Sequence, residues 1–289
     1  MKLATVIKEG KEMAAVVSDD RVILVQQINE YEDKNWSTDL FGLLQNDQLS
    51  DMVNWYKNEG RNKLHHFPSF LAEEGQFGPL YRQPRKIWGV GMNYMAKAIE
   101  LSGQPPEEEP VIFMKPDTSL IGPEEAIKLP AQSNEVTAEA ELAIIIGKTC
   151  KNVEEMAAPS FVAGFTTSLD MTAKDIHAKN PRFMQRSKSF DTFFSFGPYL
   201  ITADEYEDVK MIYVETVLNG EVSHRNVVAN MMYQPWYIVS FFSQIMTLYP
   251  GDVIMTGTPG SVVIRNGDVV ECRINGFKAL RNPVLGANS

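Results

Sequence analysis

This chain is poor in the features that mark a secreted, membrane-spanning or nucleic-acid-binding protein. It has two cysteines, Cys150 and Cys272, among 289 residues. Two thiols without a Cys-x-x-Cys spacing form neither a disulfide framework nor a redox pair, so a reducing cytoplasm is the expected compartment. Basic residues are outnumbered: 27 Lys and Arg face 37 Asp and Glu, a formal net charge of −10. Such a chain repels phosphate backbones, and no nucleic-acid partner is expected. Long apolar runs are missing too. Met1 to Gly10 carries Lys2, Lys8 and Glu9 and lacks the apolar core of a signal peptide. The most apolar helical stretch, Trp236 to Leu248, contains Ser240, Ser243, Gln244 and Thr247, and it falls short of the ~20 apolar residues of a membrane span. No membrane partner is expected. Four histidines and two cysteines form no cluster of the kind that holds zinc. There is no P-loop ending, and no third glycine completes Gly89 and Gly91 into a dinucleotide fingerprint.

What remains is an ordinary globular composition with enough apolar residues for a sizeable core. Residues 1 to about 30 read as short strands, Leu3–Val6, Met13–Val17 and Val22–Val25, with turns at Gly10 and at Asp19-Asp20. Residues 39–57 have helical spacing through Leu40, Leu43, Leu44, Met52, Val53 and Tyr56. Pro68, Gly75, Gly78, Pro79 and Pro84 punctuate residues 60–85, which places a boundary near 80. Two domains are expected, a small one over 1–80 and a larger one over 81–289. In the larger one, strands are expected at Ile87–Gly91, Val111–Met114, Glu139–Ile146, Phe161–Leu169, Met211–Leu218, Val253–Thr256 and Val269–Ile274. One clear helix carries Ile238, Phe241, Phe242, Ile245 and Met246 on one face. Many strands with few crossover helices indicate a β-rich α+β fold. The polar stretch Ser102 to Pro110 reads as a solvated loop.

The chemistry centres on Glu139-Ala140-Glu141-Leu142-Ala143-Ile144-Ile145-Ile146. On a strand, Glu139 and Glu141 share a face, ~6–7 Å apart along it. Buried carboxylates so close repel unless a positive charge lies between them. A lone Glu-x-Glu is more often a surface pair. Asp170, placed at the end of the apolar strand Phe161–Leu169, makes a third carboxylate and shifts that balance. Three carboxylates suit Mg²⁺ or Mn²⁺, which take oxygen ligands. Lys115 and Lys188 supply candidate cations for an anionic substrate, although a single lysine is more often a solvated surface group. Thr256-Gly257-Thr258-Pro259-Gly260 follows a strand as a tight turn, whose amides and Thr258 hydroxyl can hold a carboxylate.

These blocks, in this order, resemble the fumarylacetoacetate hydrolase family from about residue 86 onward. They comprise Lys86-Ile-Trp-Gly-Val-Gly-Met-Asn-Tyr94, Phe113-Met-Lys-Pro116, Glu139-Ala-Glu-Leu142 and Asp170-Met-Thr-Ala-Lys-Asp175. Lys188-Ser-Phe-Asp-Thr-Phe193, Leu218-Asn-Gly220, Pro250-Gly-Asp-Val-Ile254 and Thr256-Gly-Thr-Pro259 complete them. The resemblance implies a mixed, rolled β-structure with a small N-terminal α/β domain, assembled as a homodimer. It also implies Mg²⁺ or Mn²⁺ on Glu139, Glu141 and Asp170, substrate contacts at Lys188, Gly257 and Thr258, and Lys115 near the pocket. Two departures stand out. Hydrolytic members carry a lid histidine and, three residues on, a glutamate; here those positions hold Lys97 and Glu100. A protonated lysine cannot take a proton from water. His177 stands where many relatives carry glutamine, either as a polar substrate contact or as a relocated acid/base group. The expected function is metal-dependent chemistry on a small 2-oxo acid or 1,3-diketo acid through an enolate, with C–C cleavage by decarboxylation or acylpyruvate hydrolysis. Isomerisation, tautomerisation, hydration or dehydration, and non-catalytic binding are the alternatives.

Overall fold

A computed structural model of the chain describes residues 1–95 and 109–286. The fold is α+β and rich in strands. Its largest element is a 14-stranded mixed sheet. The main path runs from Phe70–Leu71 through Arg21–Leu24, Lys11–Ser18, Lys2–Lys8 and Tyr199–Thr202 to the central pair, Val162–Ala173 and Val136–Ile146. It continues through Val253–Met255 and Ile87–Gly91 and ends on Val111–Lys115. A second, five-stranded sheet contains Glu221–Val227, Tyr213–Leu218, Val269–Ile274, Leu280–Leu285 and Ile127–Lys128.

The central strand shows why one sheet serves two cores. Ala138, Ala140, Leu142 and Ile144 alternate onto one face and join Val214, Val270 and Cys272 of the second sheet. Ala143 and Ile145 take the other face and join Leu43, Met52 and Trp55 of the N-terminal region. Each fully buried Leu or Ile side chain contributes about 1.5–3 kcal/mol. A charge at Ile144 would therefore break the fold where the two sheets meet. Residues before 80 share this core, and Lys2–Lys8 pairs directly with Tyr199–Thr202.

Three local expectations change. Residues 25–32 form a helix, Val25–Glu32, where short strands were expected. Val25 and Ile28 bury one helical face, and the Gln27 side chain accepts the Leu24 N–H at 3.3 Å to close the first turn. The expected helix over 39–57 is broken into Leu40–Gln45 and Leu49–Trp55, because Asp47 turns left-handed between them at φ 54°. The strand expected to end at Leu169 runs on to Ala173, since Val136–Ala138 gives Met171–Ala173 a ladder partner. Asp170 therefore lies inside a strand.

Candidate metal centre

Glu139 and Asp170 face each other directly across the antiparallel pair, and Glu141 lies opposite Ser168. Glu139 and Glu141 share the face of Ala143 and Ile145, beyond the part that the N-terminal core covers. Like charges directly opposite destabilise a sheet, yet Asp170 and Glu141 are almost wholly buried, at 0% and 2% exposure. One oxygen from each of the three carboxylates lies within 4.8 Å of the others.

The partner strand on one side of Val136–Ile146 is interrupted at this level. Ser261–Ile264 pairs with its first residues and Val253–Met255 with Ala143–Ile145. The turn between them leaves the sheet and meets Glu141. Thr256 donates both its N–H and its hydroxyl to Leu142 O, at 3.0 and 2.8 Å. The next amide, Gly257 N–H, donates to Glu141 Oε2 at 2.5 Å. Gly257 sits at φ +102°, and a Cβ there would lie 2.7 Å from the Cβ of Asn93, so glycine is required. Asn93 is buried and ties this turn down, donating to Thr256 O at 2.7 Å and Tyr233 O at 2.9 Å. The turn does bind a carboxylate, and that carboxylate is the chain's own Glu141. Thr258 Oγ1 donates to Gly260 O at 3.0 Å and accepts Gly260 N–H at 3.2 Å.

Two lysines face the acids. Lys115 Nζ, with a fully buried side chain, lies 2.7 Å from Asp170 Oδ1 and donates to Met171 O at 2.9 Å and Lys188 O at 2.7 Å. Two of its ammonium donors are thus committed to main-chain carbonyls, and its charge is paired with Asp170. Lys188 Nζ donates to Asp170 Oδ2 and to Thr172 Oγ1 and lies 3.5 Å from Glu139 Oε2. The side chain of Lys188 keeps 11% exposure, whereas that of Lys115 has none. Phe113 lies beneath Lys188, with the ring centroid 4.2 Å from Nζ.

These environments separate the two lysines. Burial lowers Lys115 to about 8 against the pull of Asp170. Burial acts on Lys188 too, but Asp170 and Glu139 outweigh it and raise Lys188 to about 12. Burial, then the charges of Asp170 and Glu139, push the Glu141 carboxyl well above its usual range, while Lys188 and the Gly257 amide oppose this. The all-oxygen donor set and the high pKa of Glu141 both fit a hard divalent cation among the three acids.

The profile of the fumarylacetoacetate (FAA) hydrolase C-terminal domain matches residues 86–285. This chain belongs to the fumarylacetoacetate hydrolase family. It is 37% identical over 211 residues to a mitochondrial oxaloacetate tautomerase of Xenopus laevis, covering 70% of this chain and 66% of that protein. Its fold matches 5-carboxymethyl-2-hydroxymuconate delta-isomerase from Mycobacterium smegmatis with TM-score 0.76 at 30% identity, over 99% of both chains. It also matches maleylpyruvate hydrolase from Sphingobium, solved with manganese(II) and pyruvate, with TM-score 0.79 at 25% identity over 99% of both chains.

Seen in this fumarylacetoacetate hydrolase family fold, Glu139, Glu141, Asp170, Lys115 and Lys188 converge, and Gly257 joins them through Glu141. His177 lies half-buried on the helix Lys174–Lys179; burial and the charge of Lys188 hold its imidazole below its usual pKa. Lys97 and Glu100 lie outside the described residues. Sequence reasoning missed Thr172 and assigned no role to Asn93. Thr172 had a signal, because it stands two residues after Asp170 and so shares its face. Asn93 had none, since its partners are main-chain groups distant in sequence.

Proposed function

We propose that this chain is a divalent-metal-dependent enzyme acting on small 2-oxo acids, and that its reaction is proton movement beside the 2-oxo group, as tautomerisation or isomerisation. One observation carries the reading: three carboxylates converge on one buried face with Lys188 reaching two of them. Glu139, Glu141 and Asp170 would hold the ion, with Mg²⁺ and Mn²⁺ equally suited to the donor set. When bound, the ion supplies Lewis acidity that polarises the 2-oxo group. Asp170 and Glu139 favour the charged form of Lys188, so its role is to stabilise developing enolate charge and not to accept protons. Lys115, tied to two main-chain carbonyls and ion-paired with Asp170, orients that carboxylate. His177, whose charged form burial and Lys188 disfavour, is the candidate base, with Lys97 and Glu100 as further contributors. A substrate carboxylate can use Thr258 only if its hydroxyl proton turns away from Gly260 O. The likeness to a tautomerase and an isomerase supports this choice of reaction. A homodimer and a cytoplasmic location belong to the same proposal, and light scattering tests the first.

The second reading is C–C cleavage, which the likeness to maleylpyruvate hydrolase favours. Lys97 at the lid position weighs against its hydrolytic form. The decisive experiment offers oxaloacetate, acetylpyruvate and fumarylpyruvate to the purified protein with Mg²⁺ or Mn²⁺, following keto, enol and product signals by NMR. Metal-dependent keto–enol exchange that is lost in Glu139→Ala supports the proposal. Pyruvate with CO₂ would assign decarboxylation, and two acid fragments would assign hydrolysis. Silence on all three, with metal bound, would leave a non-catalytic binder.

A further inference from the structure

The two lysines of the site come from segments far apart in sequence, and an exposed glutamine joins those segments. Gln185 lies on the short helix Met184–Lys188. Its Nε2 donates to Met114 O at 2.8 Å, and its Oε1 accepts Met114 N–H at 3.3 Å. Met114 immediately precedes Lys115 on Val111–Lys115, the last strand of the large sheet's path. The side-chain amide therefore pairs both main-chain groups of Met114 as a further strand would. Ser189 holds the amide in place. Its hydroxyl accepts from Gln185 Nε2 at 2.8 Å and donates to Gln185 O at 2.6 Å.

We propose that Gln185 is a positioning residue that fixes the strand carrying Lys115 against the helix carrying Lys188, and so sets both ammonium groups on Asp170. The two lysines are already linked through Lys115 Nζ and Lys188 O. Phe113 of the same strand also packs beneath Lys188, and the paired bonds at Met114 add directional main-chain links to these contacts. Gln185 is exposed, so its loss leaves Met114 hydrated and empties no core space. The expected damage is to alignment, which catalysis feels more sharply than folding does. The kinetic part of this proposal rests on the functional reading above.

The test compares wild type with Gln185→Ala and Gln185→Glu, using full-length protein labelled with ¹⁵N-lysine. Glutamate keeps an acceptor for Met114 N–H but sets a carboxylate oxygen against Met114 O, so it should not rescue. The Nζ resonances of Lys115 and Lys188 should move together in both variants, with a thermal midpoint near that of wild type. On a substrate that the wild type turns over, kcat should fall about 10-fold with KM within about twofold. Adding Gln185→Ala to Lys188→Met should cost less in kcat than Gln185→Ala costs in the wild type. Unmoved Nζ resonances would overturn the proposal, as would a fall in kcat that persists undiminished in the Lys188→Met background. A wild type inactive on every 2-oxo acid would sink the functional reading instead, and the lysine resonances would still judge Gln185.

Discussion

Glu139, Glu141 and Asp170 stand on two adjacent strands bound by a continuous ladder, whereas Lys115 and Lys188 come from segments 73 residues apart that meet through side chains. The acidic wall is held by main-chain hydrogen bonds that do not depend on side-chain identity. The cationic wall is held by side-chain bonds, those of the lysines and that of Gln185. A substitution among the acids should therefore change what the site binds and leave the sheet intact. A substitution among the lysines should test whether each one serves the chemistry or the structure.

The two lysines should part most widely. Lys115→Met leaves Asp170 Oδ1 and the carbonyls of Met171 and Lys188 without their buried partner. It should cost about 3 kcal/mol of stability in chemical denaturation. Lys188→Met also leaves the buried Asp170 Oδ2 without its partner and costs stability, but it removes the cation that the proposed enolate needs and should lower kcat by about 10²–10³. Equal losses of kcat in the two folded variants would break the comparison between a structural and a chemical lysine.

Next in size is Glu141→Gln. The folded-state pKa of Glu141 is raised, so its contribution to stability is full below the ordinary carboxylate range and is lost as pH climbs through the raised value. Metal-free wild type should thus lose stability from acid toward neutral pH, and Glu141→Gln should lack that loss. Mn²⁺ titration should show wild-type affinity rising over the same pH window, because the ligand must be ionised. The variant should bind Mn²⁺ at least about tenfold more weakly. A wild-type affinity flat with pH would contradict the assignment of Glu141 as a ligand.

The smallest effect sharpens the cationic wall alone. Thr172→Val is close in shape and removes only the hydroxyl that accepts from Lys188 Nζ at 2.9 Å. One hydrogen bond is worth about 1 kcal/mol net, so kcat should fall no more than about tenfold, with metal affinity unchanged. A loss of Mn²⁺ binding would mean that Thr172 serves the acids as well.

How far the sequence reaches follows the same division between the two walls. Glu139 and Glu141 were legible because strand periodicity is local: alternate residues share a face wherever the strand lies. Val25–Glu32 was missed because Val25 and Ile28 are too few apolar positions to separate helix from strand. Asp170 was legible as a residue but misplaced at a strand end, because the length of Val162–Ala173 depends on how far Val136–Ile146 runs beside it. The sequence by itself determined the strand-rich class, the shared face of the two glutamates and the carboxylate chemistry that a divalent ion demands. Only the tertiary structure decided that Asp170 faces Glu139, that Gly257 spends its amide on Glu141, and that Lys115 is fully buried while Lys188 keeps some exposure. Each of these rests on contact between segments distant in the chain, where register and close packing choose the partner and local spacing carries no record of it.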